Sequence, residues 1–389
     1  MEIFAVDTKR LLDTFTELVA IDSLSGHERA MADRLKVKLG DLGCLVREDN
    51  TGKVIGGSAG NVIGVLRGNV AGPTLILCAH MDTVTPGEGK QAVLTNGEIR
   101  SNGRSVLGAD DAAGIAIILE ALRVVKESKY SHPSIKVIFT VAEEMGLQGA
   151  KNIDLGLVDN TLGFVLDAGG PVGTIYVSAP FHRKFIARIR GKAAHAGEEP
   201  EKGINAIQVA ADAIVRMRLG RIDTETTANV GLIQGGTATN VVPAEVEIKG
   251  EIRSLKKEKL LKQSVQIEES VRSAALDYGA HAEIEMVDNY DGFSLKENNP
   301  AVVLAAKAVK AVGLTPVLAS SGGGSDANIL NAKGVPTVNL SIGMEAVHTT
   351  DEHIKVADMV LAAKILIALI QEAIVSPGHT LTNNFPDPS

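Results

Sequence analysis

The sequence predicts an α/β protein, with helices on both faces of a central sheet and a smaller α+β domain inserted into it. Three observations predict this. Nearly continuous apolar strand runs alternate with helical patterns over about the first 178 residues and return after about residue 292. Between them the texture switches to strict alternation of apolar and charged residues, as in "KFIARIRG" and "EVEIKGEIRS", which marks a sheet with one wet face. The length of 389 residues also exceeds one ordinary core.

Along the chain, "HERAMADRLKVKLGDLG" reads as an amphipathic helix with Met31, Leu35, Leu39 and Leu42 on one face. "NVIGVLRG", "PTLILCAHMDT", "SIKVIFTVAEE" and "TLGFVLDAGG" read as strands covered on both faces, and "DDAAGIAIILEALRVVKES" as an apolar crossover helix. The inserted region reads as strand 184–191, helix 203–219, strands 228–234 and 244–254, helix 257–278 and strand 281–289. That β-α-β-β-α-β order is the ferredoxin-like plan. Leu260, Leu261, Ile267, Val271, Ala274 and Ala275 form the stripe with which its second helix covers the sheet. After residue 292 come a helix (299–312), the glycine loop "SSGGGSDAN", the strand "VPTVNLSIG" and a helix around 355–374. The final "GHTLTNNFPDPS" reads as a loose tail. The expected domains are 1–179 with 292–389, and 180–291.

Composition narrows the function. Lys and Arg total 39 against 47 Asp and Glu, a net charge of −8, which disfavours a nucleic acid or an anionic membrane as partner. The absence of Trp and an aromatic content of 3% disfavour a base-stacking platform. Two cysteines, Cys44 and Cys78, point to no disulfide and a reducing compartment. "MEIFAVDTKRLLDTF" lacks the pattern of a signal peptide, and no apolar run approaches the roughly 18 residues of a membrane span, so a cytoplasmic protein is expected.

Chemistry-bearing residues gather at junctions. In "AHMDT", His80 and Asp82 are two apart and, within a strand, share a face. A carboxylate there can hold one ring proton and free the other nitrogen for a metal, although a structural pair would look the same. In "LGADDAAG", Asp110 and Asp111 open a helix, where capping employs one of them. "VAEEMG" brings Glu143 and Glu144 to a strand end, "LDAGG" brings Asp167, and "GMEAVHTTDEH" brings His348 just after another strand. In open α/β sheets the carboxyl ends of strands form the ligand edge. His80, Asp110, Glu144, Asp167 and His348 together suit Zn²⁺ or a related divalent ion rather than Ca²⁺ or Mg²⁺. Five ligands fit two ions sharing a bridging carboxylate, a pair that activates water and polarises a carbonyl. Adjacent Glu143 and Glu144 would point apart in a strand, so the strand must bend or end there for both to reach one site.

"AHMDT", "LGADDAAG", "VAEEMGLQGA", "LDAGG" and "VHTTDEH" resemble, in order and spacing, the motifs of the co-catalytic dizinc exopeptidases, the family of peptidase T, carboxypeptidase G and the aminoacylases. The resemblance spans about residues 5–375 and is greatest to the peptidase T-like branch. It implies two Zn²⁺ per subunit, with Mn²⁺ or Co²⁺ as substitutes. His80 and Asp167 would hold one ion, Glu144 and His348 the other, and Asp110 would bridge. Asp82 would orient His80, and Glu143 would be the general base. Asp111 has no family role, and helix capping or support of a ligand is the reading left to it.

The resemblance further implies that the inserted domain is a lid and dimer surface. "KAAHAGEEPEKGINA" places His195 as an oxyanion contact, commonly in the active site of the partner subunit, "GGTATNVVPAE" places Asn240 as a substrate contact, and "GEIRS" places Arg253 as a partner for a substrate carboxylate. "SSGGGSDAN" places Gly323, Ser325 and Asp326 beside the substrate terminus. The implied activity is a tripeptide aminopeptidase acting on short peptides as a homodimer, with Asp167 in place of Glu resembling the aminopeptidase side. A carboxypeptidase or N-acyl-amino-acid hydrolase of the same family, and a non-catalytic scaffold on the same fold, stay open.

Overall fold

The computed structural model describes residues 5–156 and 158–374, and the segment read as a tail lies outside them. The chain divides into two compact units. One comprises the described residues up to Val177 with Leu295–Ala319 and those from Ser325 onward; the other comprises Ser178–Ser294 and Ser320–Gly324.

In the first unit the main sheet runs in the order Leu45–Glu48, Val62–Leu66, Ile135–Thr140, Thr74–His80, Thr161–Gly169, Thr337–Glu345, His353–Lys355, Glu98–Ser101 and Ala92–Thr95. From Ile135–Thr140 to Thr337–Glu345 the pairing is parallel, and on either side it is antiparallel. A parallel sheet is covered on both faces, which is why Leu75, Ile76, Leu77 and Cys78 are buried in succession. Helix Ala109–Glu127 is apolar nearly all round and buried accordingly, packed between Thr8–Val19, Val356–Glu372 and the sheet. A separate group, Asp326–Ala332 with Gln148–Asn152 and Thr51–Ile55, packs elsewhere on the unit. Phe139 and Phe164 are fully buried, each worth about 1.5–3 kcal/mol by the water they leave.

Three local features depart from the sequence reading. The hairpin Ala92–Thr95 to Glu98–Ser101 was not expected, although Asn96-Gly97, both at positive φ (52° and 80°), is its turn signal. Strand Ile135–Thr140 stops before the glutamate pair, Ala142 turns left-handed at φ 49°, and Glu143 and Glu144 lie in the turn that follows. Strand Thr161–Gly169 runs past Asp167 rather than ending on it.

The second unit has the β-α-β-β-α-β order, with sheet order Gly220–Arg221, Thr226–Gly235, Glu245–Ser254, Phe181–Arg190, His281–Tyr290, all antiparallel. The two-residue edge strand is the only addition to the expected elements among its described strands in this sheet. One sheet face carries Phe185, Ala187, Ile189, Ile248 and Ile252 against Val209, Ala213, Ile267 and Val271 of helices Ala206–Arg216 and Lys257–Tyr278. Among the described residues no helix is long and apolar enough to cross a membrane.

Gly250 is required in mid-strand because a Cβ there would stand 2.2 Å from the Asn229 carbonyl oxygen and 2.3 Å from the Phe185 ring. Gly250→Ala is therefore expected to destabilise the second unit by about 1–3 kcal/mol, read by urea titration of the purified protein.

Candidate metal centre

Because the central strands are parallel, they end on the same edge, and the edge collects what their ends carry. His80 closes its strand beside Thr140, the last residue of the neighbouring one. Asp110 lies at the start of Ala109–Glu127, where Asp110 and Asp111 have non-helical backbone angles. His348 follows Thr337–Glu345 in a turn at φ 64°. The result is three groups of side chains whose ligand atoms could share an ion: His80, Asp110 and Asp167; Asp110, Glu144 and His348; and His80, Glu143 and Glu144.

Asp110 is the common member of the first two. Its Oδ1 lies 2.9 Å from His80 Nε2 and its Oδ2 lies 3.1 Å from His348 Nε2. Asp167 Oδ1 is 3.8 Å from His80 Nε2, and Glu144 Oε1 is 2.8 Å from His348 Nε2. His80 is buried, whereas the His348 side chain is 50% exposed, so the cluster is open to solvent at His348.

Buried side chains hold the backbone at each junction. Asp82 Oδ1 accepts the Glu143 N–H at 2.9 Å and Oδ2 the Glu144 N–H at 3.2 Å, while Ser25 Oγ donates to Oδ2 at 2.6 Å. Asp82 keeps its expected place beside His80; what changes is the geometry by which it meets the ring. The strand ends at His80, so the two no longer share a strand face, and His80 Nδ1 meets the Asp82 main-chain oxygen at 2.9 Å rather than its carboxylate at 3.6 Å. With Nδ1 as donor to a carbonyl, Nε2 is left as the ligand atom.

Asp111 accepts from Gly114 N at 3.1 Å and from His80 N at 3.1 Å, capping the helix and tying it to the strand. Four further holding residues escaped the sequence reading. Glu352 accepts from Gly108 N and Asp110 N (2.7 and 2.9 Å). Asn339 accepts from Asp167 N and donates to Asp167 O (3.1 and 2.9 Å). Glu28 accepts from Ala142 N and Asn61 from Val141 N (3.0 and 3.1 Å). Only Glu352 left a signal, as an acid inside the "VHTTDEH" motif that carries His348.

The electrostatics favour cations. Burial pushes Glu143 well above the usual carboxylate range, and burial together with Asp110 does the same to Asp167. Burial also resists ionisation of Asp110, but hydrogen bonds from His348 and His80 outweigh it and hold its carboxyl low. His348 is raised to about 10 by Asp110 and Glu144; burial would lower His80, but Asp110 and Asp82 reverse that. The cluster thus draws positive charge wherever it can. Glu144 Oε1 is buried without a hydrogen-bond partner despite its closeness to His348 Nε2, as expected of two ligands facing one ion rather than a donor facing an acceptor. The residues fit a pair of divalent metals.

The remaining expected residues fall otherwise. Ser325 and Asp326 are corrected: neither belongs to an open loop. Ser325 Oγ caps helix Asp326–Ala332 through Ala327 N (3.3 Å), and Asp326 is buried with Oδ2 accepting from Thr140 Oγ1 at 2.5 Å. Burial raises its carboxyl to about 6. Gly323, His195, Asn240 and Arg253 belong to the second unit. There His195 is exposed, its Nδ1 accepting from Gly197 N and Glu198 N (3.2 and 3.1 Å), and exposed Asn240 accepts Ala196 N through its carbonyl at 3.0 Å. Arg253 lies on the polar sheet face, yet is paired with Glu251 rather than free in solvent.

Residues 76–372 match the peptidase family M20/M25/M40. The chain is 44% identical to the crystal structure of aminopeptidase PepT from Bacillus cereus ATCC 10987, covering 95% of this chain and 99% of that one with a TM-score of 0.86. It is 39% identical to a tripeptidase from Staphylococcus aureus subsp. aureus Mu50, covering 94% and 98% with a TM-score of 0.90. It is 46% identical over 368 residues to the uncharacterized protein YqjE of Bacillus subtilis (strain 168), covering 95% and 99%.

Glu352→Ala leaves two buried N–H groups without an acceptor at the Asp110 junction. It is expected to weaken divalent-metal uptake by about 10–100-fold in chelator competition, with Glu352→Gln losing less because it keeps an acceptor oxygen.

Proposed function

The chain belongs to peptidase family M20/M25/M40, and on that premise we propose that it is a dizinc exopeptidase of short peptides, a tripeptide aminopeptidase of the peptidase T type. One observation carries the reading: Asp110 offers one oxygen toward His80 and the other toward His348, as a carboxylate bridging two ions would. His80 and Asp167 would hold the first ion and Glu144 and His348 the second. Zn²⁺ suits this mixed donor set, and Mn²⁺ or Co²⁺ would be accepted by it. When bound, such a pair supplies Lewis acidity, polarising the scissile carbonyl and making water acidic.

The chain's own side chains carry the proton and orient the peptide. Glu143, buried and fixed through its N–H on Asp82, takes the proton of the attacking water and passes it to the departing amine nitrogen. His195 accepts at Nδ1, so its proton sits on Nε2, where it can stabilise the oxyanion of the tetrahedral intermediate. Arg253 takes the carboxylate at the far end of a tripeptide, and Asn240 and the Gly323 backbone contact its main chain. The aminopeptidase and tripeptidase relatives support this over the carboxypeptidase reading, which Arg253 alone would serve equally well.

Glu143→Ala is expected to keep two metals per chain by elemental analysis while turnover falls by about 10²–10⁴-fold; unchanged turnover would remove Glu143 as the base. Tripeptides blocked at one terminus decide the polarity. Cleavage confined to N-blocked peptides would overturn the aminopeptidase assignment in favour of its relatives acting at the carboxyl end.

A further inference from the structure

Glu251 and Arg253 are two apart on strand Glu245–Ser254, on the face opposite buried Ile252. The Glu251 carboxylate grips one edge of the guanidinium: Oε1 accepts from Arg253 Nε at 2.9 Å and Oε2 from Nη2 at 3.2 Å. Glu251 is itself restrained from the neighbouring strand. His182, opposite Arg253 in the register, has Nε2 3.1 Å from Glu251 Oε2. Its Nδ1 meets Asn289 Nδ2 at 3.0 Å, and an amide nitrogen only donates, so the imidazole proton sits on Nε2, close to Glu251 Oε2 but outside hydrogen-bond geometry with it. Tyr290 packs on the same imidazole with ring centroids 5.0 Å apart. The nearby His182 imidazole and the Arg253 guanidinium keep the Glu251 carboxyl down at about 2 against the cost of its burial.

An Arg–Glu pair on an open surface contributes little and moves freely. This one is half-buried and held at both carboxylate oxygens. It consumes the Nε edge of Arg253 and leaves the Nη1 end turned to the glycine loop, where a Cβ on Gly323 would stand 3.8 Å from Nη1. The loop is bare at the point where a side chain would cover that end.

We propose that Glu251 is a positioning residue: it locks Arg253 so that the Nη1 end forms a fixed receptor for the C-terminal carboxylate of a short peptide. The inference rests on the reading of Arg253 as the substrate-carboxylate contact. Preorganisation is the physical gain, since an arginine already held in place loses little side-chain freedom when the carboxylate arrives.

The test is kinetics on one tripeptide, as free acid and as C-terminal amide, with the zinc-loaded wild type, E251A, E251Q, R253A and the double variant E251A/R253A. E251A is expected to raise KM for the free acid by ~10-fold while moving kcat less than ~2-fold, so that the acid-over-amide preference in kcat/KM collapses. E251Q, which retains an acceptor oxygen, should restore most of the preference. The double variant should be no worse than R253A, because the two residues act through one contact. If E251A keeps the preference that R253A loses, Glu251 is merely structural and the proposal falls while the carboxylate reading stands. If R253A also keeps it, the carboxylate reading fails and takes the proposal with it.

Discussion

Where parallel strands stop or slip register, and where a helix begins beside them, buried backbone N–H groups lose their regular partners, and each such group left unpaired costs about 1–3 kcal/mol. This constraint organises the first unit. The N–H groups of His80, Asp110, Val141, Ala142, Glu143, Glu144 and Asp167 are taken up by Asp111, Glu352, Asn61, Glu28, Asp82 and Asn339. Four of the five candidate metal ligands, His80, Asp110, Glu144 and Asp167, are therefore fixed through their main chains by a ring of buried acceptors. Asp82 shows the economy of this most plainly: one carboxylate holds two successive amides, and so sets where both glutamates of the turn emerge.

The same crowding creates an electrostatic demand. Acceptors for amides and ligands for metals are both best supplied by carboxylates, so Asp82, Asp110, Asp111, Glu143, Asp167 and Asp326 are buried on or near one sheet edge or partly so. Like charges at this spacing raise one another's pKa unless positive charge intervenes. Two histidines drawn toward protonation and a carboxylate shared between them are the protein's internal answer. A pair of divalent ions would answer it better, which would tie affinity for metal to the way the backbone is held.

The second unit solves a different problem. Its sheet has helices on one face only, so the other face carries cross-strand ion pairs such as Arg188 with Glu247 and with Glu285. Within that polar face, Glu251, Arg253 and His182 stand out because they are partly withdrawn from solvent and locked to one another.

The sequence by itself determined the alternation of elements, the ferredoxin-like order of the insertion, and the identities of His80, Asp110, Glu144, Asp167 and His348 as candidates. Hydrophobic period and the ends of apolar runs are local properties, and they survive in a linear reading. The Asn96-Gly97 turn was equally local and was simply overlooked. What only tertiary structure decided was which group holds which. Glu352 meets Asp110 across 242 positions, Asn339 meets Asp167 across 172, and Glu28 meets Ala142 across 114. None of those pairings has a sequence period. Ser325 and Asp326 were misread for the same reason: a glycine-rich motif marks a turn, but only packing decides that its acid points inward to Thr140. The adjacent glutamates lie between the two cases. Their neighbourhood forced a break in the strand on any reading, and the left-handed Ala142 with the Asp82 carboxylate determined where that break falls.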